Sequence, residues 1–515
     1  MLREAPVAFE TWETPPRPTA LASAAKYKRR CFSPRAGPRI SKRVLIDVST
    51  IVNCLASEVA AVTLSGMIRN CAAFTFWSFL VFGLSVTAAD WPQWLGEKHD
   101  GVWRESGILE KFPAGGPEVV WKQAIGSGYS GPAVADGRVF VSDRVLAEKA
   151  TGNSDPFERG LIPGQERLHC FDMKTGDKIW SHAYDCSYTV SYAAGPRATP
   201  AVAGDYVYML GAEGNLNCLR VASGEVVWKK DLKIDFATKT PVWGFSASPL
   251  IEEDLLICLV GGEGSVAVAF DRNSGEEKWR ALTAKEPGYA PPTIIDYGGH
   301  RQLLIWHPEA VSALEPATGK LLWSIPWQLR SGLSVPTPRQ QGDRLFFTCF
   351  YNGSLMLKLK EDGTTPEVQW QTERESERRT THLNSIMSSP YLSGDHIFGV
   401  CSYGEFRCLD AKTGDRVWES MKVTTGDNKE KERWANVFLT PHEPSGRWFL
   451  FNESGDLVIA KLSPTGFEEI DRANVIEPNG IDMQRRKIVW SHPAYANKCV
   501  FVRNDSEIRC ISLAE

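Results

Sequence analysis

The chain lacks the short patterns by which most enzymes announce their chemistry. No two of its 12 cysteines are adjacent, and no Cys-Xaa-Xaa-Cys pair or histidine cluster has zinc-ligand spacing. It has no glycine-rich phosphate loop leading into a helical pattern, no Gly-Xaa-Ser-Xaa-Gly elbow and no carboxylate pair at a defined spacing. Its longest apolar stretch, from Cys71 to Val86, is too short to favour a membrane span. Positive charge is not in excess either: the formal net charge is −4, and from Asp90 onward acidic residues outnumber basic ones by ten. That balance excludes a nucleic-acid partner held by phosphate contacts.

What is present is repetition. Eight times a Ser/Thr/Pro–Pro start opens two or three β-patterned runs, and most copies close on Gly and Trp. The start prolines are Pro132, Pro200, Pro249, Pro292, Pro338, Pro390, Pro441 and Pro493, and all but the first spacing fit one four-stranded unit. The closing positions are Trp180, Trp228, Trp279, Trp323, Trp370 and Trp418, with Ile470 as a degenerate seventh. One small sheet cannot bury both faces alone, whereas a ring of them can. The pattern predicts an all-β fold, an eight-bladed β-propeller of four-stranded antiparallel blades. The last copy stops after three strands. The missing strand is EVVWKQA around Trp121, so the N-terminal strand is expected to close the ring and remove its open edge.

Within a blade each residue type has a physical reason. Pro200 opens an innermost strand, where a missing N–H is tolerated. Gly204-Asp205 and Ser223-Gly224 make tight turns between alternating runs. The closing tryptophans are read as wedges between neighbouring blades.

The N-terminal region follows different rules. Residues 1–66 are rich in Pro and Arg and show no long periodic element, which leaves either a spurious or disordered stretch ahead of a start at Met67 or a genuine extension with a single anchor. Residues 67–89 combine a basic start, an apolar core and small residues before Asp90, a secretory signal pattern. The propeller is expected over 90–515, exported to the periplasm or outside the cell and not membrane-spanning in its mature form.

Nine cysteines follow Asp90. Cys170, Cys218, Cys408 and Cys510 share one strand position in four blades and are expected to be buried fillers. Cys401 and Cys408 flank one turn symmetrically, and Cys499 and Cys510 flank another. Each pair is either a cross-strand disulfide or two packed thiols.

The loops entering the innermost strands should ring a funnel at one end of the channel. They supply Tyr129, Tyr192, Arg197, Trp243, Phe245, Tyr289, His382, Asn384, Trp434, Asn436 and His492. Such a set suits a planar or polar ligand, or serves only to cap blade edges. No catalytic residue and no metal ligand is assigned. An insertion over 144–167 reaches the same face as a lid, a partner contact or an unfolded loop.

The (S/T)P starts and the FDMKTGDKIW and LDAKTGDRVW finishes resemble the pyrroloquinoline-quinone-like (PQQ-like) repeat family over about residues 90–515. That superfamily includes quinoprotein alcohol dehydrogenases and BamB-like assembly factors of outer-membrane proteins. The enzyme branch implies a quinone stacked between a Trp and an adjacent-cysteine disulfide, with Ca²⁺ on acid and amide oxygens. Here Trp243, Asn384 and Asn436 stand available, but the disulfide does not. The assembly branch implies a lipoprotein scaffold, and no cysteine follows the apolar core closely enough to carry a lipid. The expectation is a non-catalytic scaffold without cofactor that binds a protein or carbohydrate through its funnel face. PQQ with calcium in an oxidoreductase is the alternative.

Overall fold

The computed structural model describes residues 89–373, 376–426 and 430–515. The segment 1–66 and all but the last residue of the expected signal lie outside them. Eight four-stranded antiparallel sheets follow one another along the described residues, each strand pairing with its neighbour in sequence. Blade 1 comprises Ala133–Ala135, Arg138–Leu146, Gly164–Asp172 and Lys178–Asp185, and blades 2 to 7 repeat this order up to Gly466–Asn474. Blade 8 holds Ala494–Ala496, Cys499–Arg503 and Glu507–Ser512, and its outer strand is Val119–Ala124 from the other end of the chain. The seam is antiparallel, with Trp121 opposite Cys510 and Gln123 opposite Ile508. The ring is therefore closed as the Trp121 segment predicts.

Most closing tryptophans join blades by two contacts. Trp180 donates its indole N–H to the carbonyl of Val221 in the next blade, and Trp228 and Trp279 do the same to Arg272 and Pro316, all at 2.9–3.0 Å. Their rings lie over the tight turn of that next blade. A Cβ placed on Gly224 would come within 2.6 Å of the Trp180 ring, and φ there is +72°, so glycine meets both demands. On its own sheet nearly every indole faces a small residue, the exception being Trp370, which sits opposite Met356. Trp121, Trp180, Trp228 and Trp418 sit opposite Cys510, Cys170, Cys218 and Cys408, and Trp279 and Trp323 opposite Ala269 and Ala313. The four shared-position cysteines are thus the fillers expected from the repeat. Trp323 departs from the pattern, bonding Gln302 of its own blade instead.

The disulfide alternatives are corrected. All nine described cysteines are free and buried. The turn after Val400 is tighter than its symmetric look suggests: Val400 pairs with Phe406, so Cys408 falls opposite Phe398 rather than Cys401. The Cys401 sulfur instead accepts from the Asn384 N–H at 3.2 Å and the Arg407 guanidinium at 3.0 Å. Burial pushes its thiol up to about 11. Cys499 pairs with Ser512 and Cys510 with Phe501, so these two thiols meet only diagonally.

Residues 91–112 form a feature absent from the repeat. They cross from blade to blade: Trp91 pairs with Val134 in blade 1, the Val202 N–H of blade 2 bonds the Pro92 carbonyl, and Trp103 pairs with His442 in blade 7. Trp94 bridges opposite sides of the channel. It donates to Thr337 Oγ1 of blade 5 at 2.8 Å and packs edge-on against His492 of blade 8, with ring centroids 4.4 Å apart. The segment stoppers the channel from one end.

Candidate funnel site

Five entering loops bring aromatic rings together at the other end. Tyr192, Leu333, Phe350 and Trp434 form a buried cluster, with Tyr129, Trp243 and Trp490 packed against it. Tyr192 lies 5.7 Å from Trp490 and 6.2 Å from Trp434, in tilted and edge-to-face contacts. These are the distances of packed aromatic pairs. The insertion completes the closure. Blade 1 strands extend to Leu146 and resume at Gly164, so the loop is 147–163, shorter than the expected 144–167. It is folded: the Tyr192 N–H donates to the Pro156 carbonyl, Arg159 Nε to Thr189 O, and Phe157 packs edge-on against Tyr192 at 5.4 Å.

Most of the predicted set is at this mouth, in altered roles. The Arg197 guanidinium is spent on backbone carbonyls, bonding Gly195, Ser191 and Tyr192, and it also faces the Tyr129 ring at 5.2 Å. It therefore organises the loop rather than offering charge to a ligand. Burial pushes the hydroxyls of Tyr129, Tyr192 and Tyr289 up, so all three are neutral. Trp243 stands edge-on to Tyr289 at 5.6 Å. Asn384 donates to the Phe350 carbonyl at 3.1 Å, while its Oδ1, Asn436 Nδ2, the Trp434 N–H and the hydroxyls of Tyr192 and Tyr289 have no partner among the described residues. His382 bonds Thr381 at 2.7 Å, beside the cluster.

Two placements differ from expectation. Phe245 lies in the core between blades 2 and 3, over Gly214, because the chain turns its side chain away from the channel. His492 lies deeper, in the channel wall. Its Nδ1 donates to the Pro493 carbonyl, leaving Nε2 to accept from Thr199 Oγ1 at 2.7 Å. Burial in that wall pulls its imidazole down to about 4.

Sequence reading missed three acidic braces. Glu213, Glu405 and Glu453 stand at the turn between second and third strands in blades 2, 6 and 7, and all are buried. Each holds the loop leaving its own blade. Glu213 bonds Lys233, Thr240 and the Thr189 N–H; Glu405 bonds Lys431; Glu453 bonds Arg486 and the Trp490 indole N–H. Arg486 is also held by Glu432 and Asp482. Burial raises Glu453 above the usual carboxylate range even with Arg486 beside it. The readable signal was an acid within two residues of a glycine at one repeated turn.

The residues do not fit the quinone of the enzyme branch. The stacking pair that branch implies is incomplete, since all the described cysteines are free, and the mouth is filled by packed rings around a half-buried Trp243 that stands edge-on to Tyr289.

The family described as "Outer membrane protein assembly factor BamB" matches residues 164–420. The outer membrane protein assembly factor BamB of Burkholderia pseudomallei is 25% identical over 243 residues, 45% of this chain and 58% of that protein. The BamB of Shewanella oneidensis is 23% identical over 230 residues, 43% of this chain and 56% of that protein. The chain thus spans somewhat over half the length of the curated relatives it matches. Among solved structures, quinohemoprotein alcohol dehydrogenase from Comamonas testosteroni superposes with a TM-score of 0.52 at 13% identity, covering 82% of this chain and 80% of that one. BamB from Moraxella catarrhalis gives a TM-score of 0.47 at 16% identity over 76% and 98% of the two chains.

Proposed function

Because this chain is a β-propeller of the PQQ-like repeat family, we propose that it is an exported, non-catalytic scaffold that docks a protein partner through its funnel face. The carrying observation is the state of that face: the channel is stoppered by its own aromatic rings, while the surrounding loops turn apolar side chains outward. Leu161 is 70% exposed, Phe157 38% and Met483 39%, and Ile481 and Ile234 are exposed as well. Exposed apolar groups on braced loops are what protein interfaces use, and rigid loops lose little entropy on docking. The matched relatives take part in outer membrane protein assembly by name. By that likeness the partner is a component of such machinery in the cell envelope.

The test is cross-linking of the tagged full chain in cells that export it, scored against purified outer-membrane assembly components. Phe157→Asp and Met483→Asp should abolish the cross-link while leaving the circular dichroism unchanged. A cross-link indifferent to both substitutions would reject the funnel face. The alternative, a PQQ-dependent oxidoreductase, rests on shared fold alone, and fold does not carry activity. Micromolar binding of PQQ with Ca²⁺ and dye-linked turnover would establish it instead.

A further inference from the structure

Off the channel axis, between blades 4 and 5, the funnel side holds a cleft of about 530 Å³. That volume lies within the roughly 300–1,000 Å³ of small-molecule sites. One wall is Pro326, Trp327 and Gln328, at the end of the outer strand of blade 4, Leu321–Pro326. The other is Gln371, Thr372 and Glu373, at the end of the outer strand of blade 5, Glu367–Gln371. Asn352 forms the floor.

The cleft is built and held. The Asn352 amide ties floor to wall, accepting from the Arg330 N–H at 3.0 Å and donating to the Gln328 carbonyl at 3.1 Å. Thr372 Oγ1 accepts from the Ser354 N–H at 2.8 Å, which fixes the opposite wall. Trp327 is buried, stacked on Trp306 with centroids 5.5 Å apart and planes 7° from parallel. The groups left exposed at the rim are two primary amides, Gln328 and Gln371, and the Glu373 carboxylate.

The geometry points to a neutral saccharide: we propose that this cleft binds one or two rings of an uncharged glycan. A primary amide sets a donor and an acceptor side by side, and each sugar hydroxyl both donates and accepts. A carboxylate accepts from two neighbouring hydroxyls through charge-assisted bonds. Pro326 and the Trp327 edge offer an apolar wall to the C–H face of a ring. The same lining disfavours other classes. Among the described lining residues the only charge is the Glu373 carboxylate, which disfavours phosphates and acidic ligands. The guanidinium of nearby Arg330 lies over the Tyr351 ring at 4.4 Å. A flat aromatic ligand finds no free ring to stack on, because Trp327 is engaged by Trp306. The site is separate from the aromatic mouth and does not depend on the protein-docking reading.

The full chain is applied to an array of neutral oligosaccharides (gluco-, xylo-, galacto- and N-acetylglucosamine series), and the best ligand is titrated calorimetrically. At least one should bind, and Gln371→Ala and Glu373→Ala should each weaken it roughly tenfold, the loss of one or two hydrogen bonds to the ligand. Phe157→Asp should leave it unchanged, which separates this site from the docking face. Both cleft positions are exposed, so melting temperatures should stay constant. Binding of no neutral glycan, binding indifferent to both cleft substitutions, or a response confined to anionic glycans or peptides overturns the proposal.

Discussion

Trp121 donates its indole N–H to the carbonyl of Met173 at 2.8 Å, so a side chain near the start of the propeller's chain order latches blade 8 onto blade 1. Its ring packs tilted against Phe171 and Phe501 at 6.3 and 6.0 Å. This is the contact that Trp180 and Trp228 make between blades adjoining in sequence, now made across the seam. Trp121→Ala and Trp180→Ala should each cost about 3–5 kcal/mol in denaturant unfolding. The seam variant alone should also lose hydrogen-exchange protection across Glu507–Ser512, because only there is the neighbouring strand recruited from the other end of the chain.

Gly176 sits beneath that indole with φ at +75°, and an added Cβ would come within 2.6 Å of the ring. Gly176→Ala should therefore destabilise by about 1–3 kcal/mol through backbone strain and a displaced tryptophan. At Gly204, whose φ is +55° with nothing within 4 Å of an added Cβ, the same change meets backbone strain alone and should cost less. Thermal melts of the pair measure the difference.

His492 sets a pH dependence. Burial pulls its imidazole down from 6.5 to about 4, so the native state takes up its proton later than the unfolded chain does. Stability from this group is fully present above about pH 6.5 and is lost as pH falls toward 4. His99 is pulled down to about 4 by burial as well and acts with the same sign. In His492→Gln the stability difference between pH 7 and pH 4.5 should shrink by roughly 2 kcal/mol, as read by denaturant titrations at the two pH values.

The blades were legible because their signals recur in phase: a proline at each inner strand, a tryptophan at each outer strand and a glycine where the next turn passes under the indole. Trp121 stood out as the one such signal lying ahead of the first start proline. The stopper over residues 91–112 was not legible, since its partners Thr337, His442 and His492 lie far away in sequence and nothing in WPQWLGEKHDGV repeats. At the funnel, a loop position told which residues were near the channel but not which way they point. Trp243 and Phe245, two residues apart, take different sides. Trp490, which belongs to the aromatic mouth, was passed over for His492, which does not.

The cysteine register yields a direct chemical readout. All nine described thiols are buried and unbonded, and burial pushes several of them up, Cys170 and Cys218 to about 12. A thiol-specific reagent should therefore find almost none in the native protein, and nine per propeller after denaturation without reductant. Seven on denaturation would mean that one pair is bonded after all.

The clasp between Val119–Ala124 and Glu507–Ser512 also imposes an order of events during synthesis. At roughly 5–20 residues per second, the earlier strand waits on the order of 20–80 s before its partner emerges from the ribosome. Throughout that interval blade 1 presents an unguarded flank, and truncating the final six-residue strand would make the delay permanent.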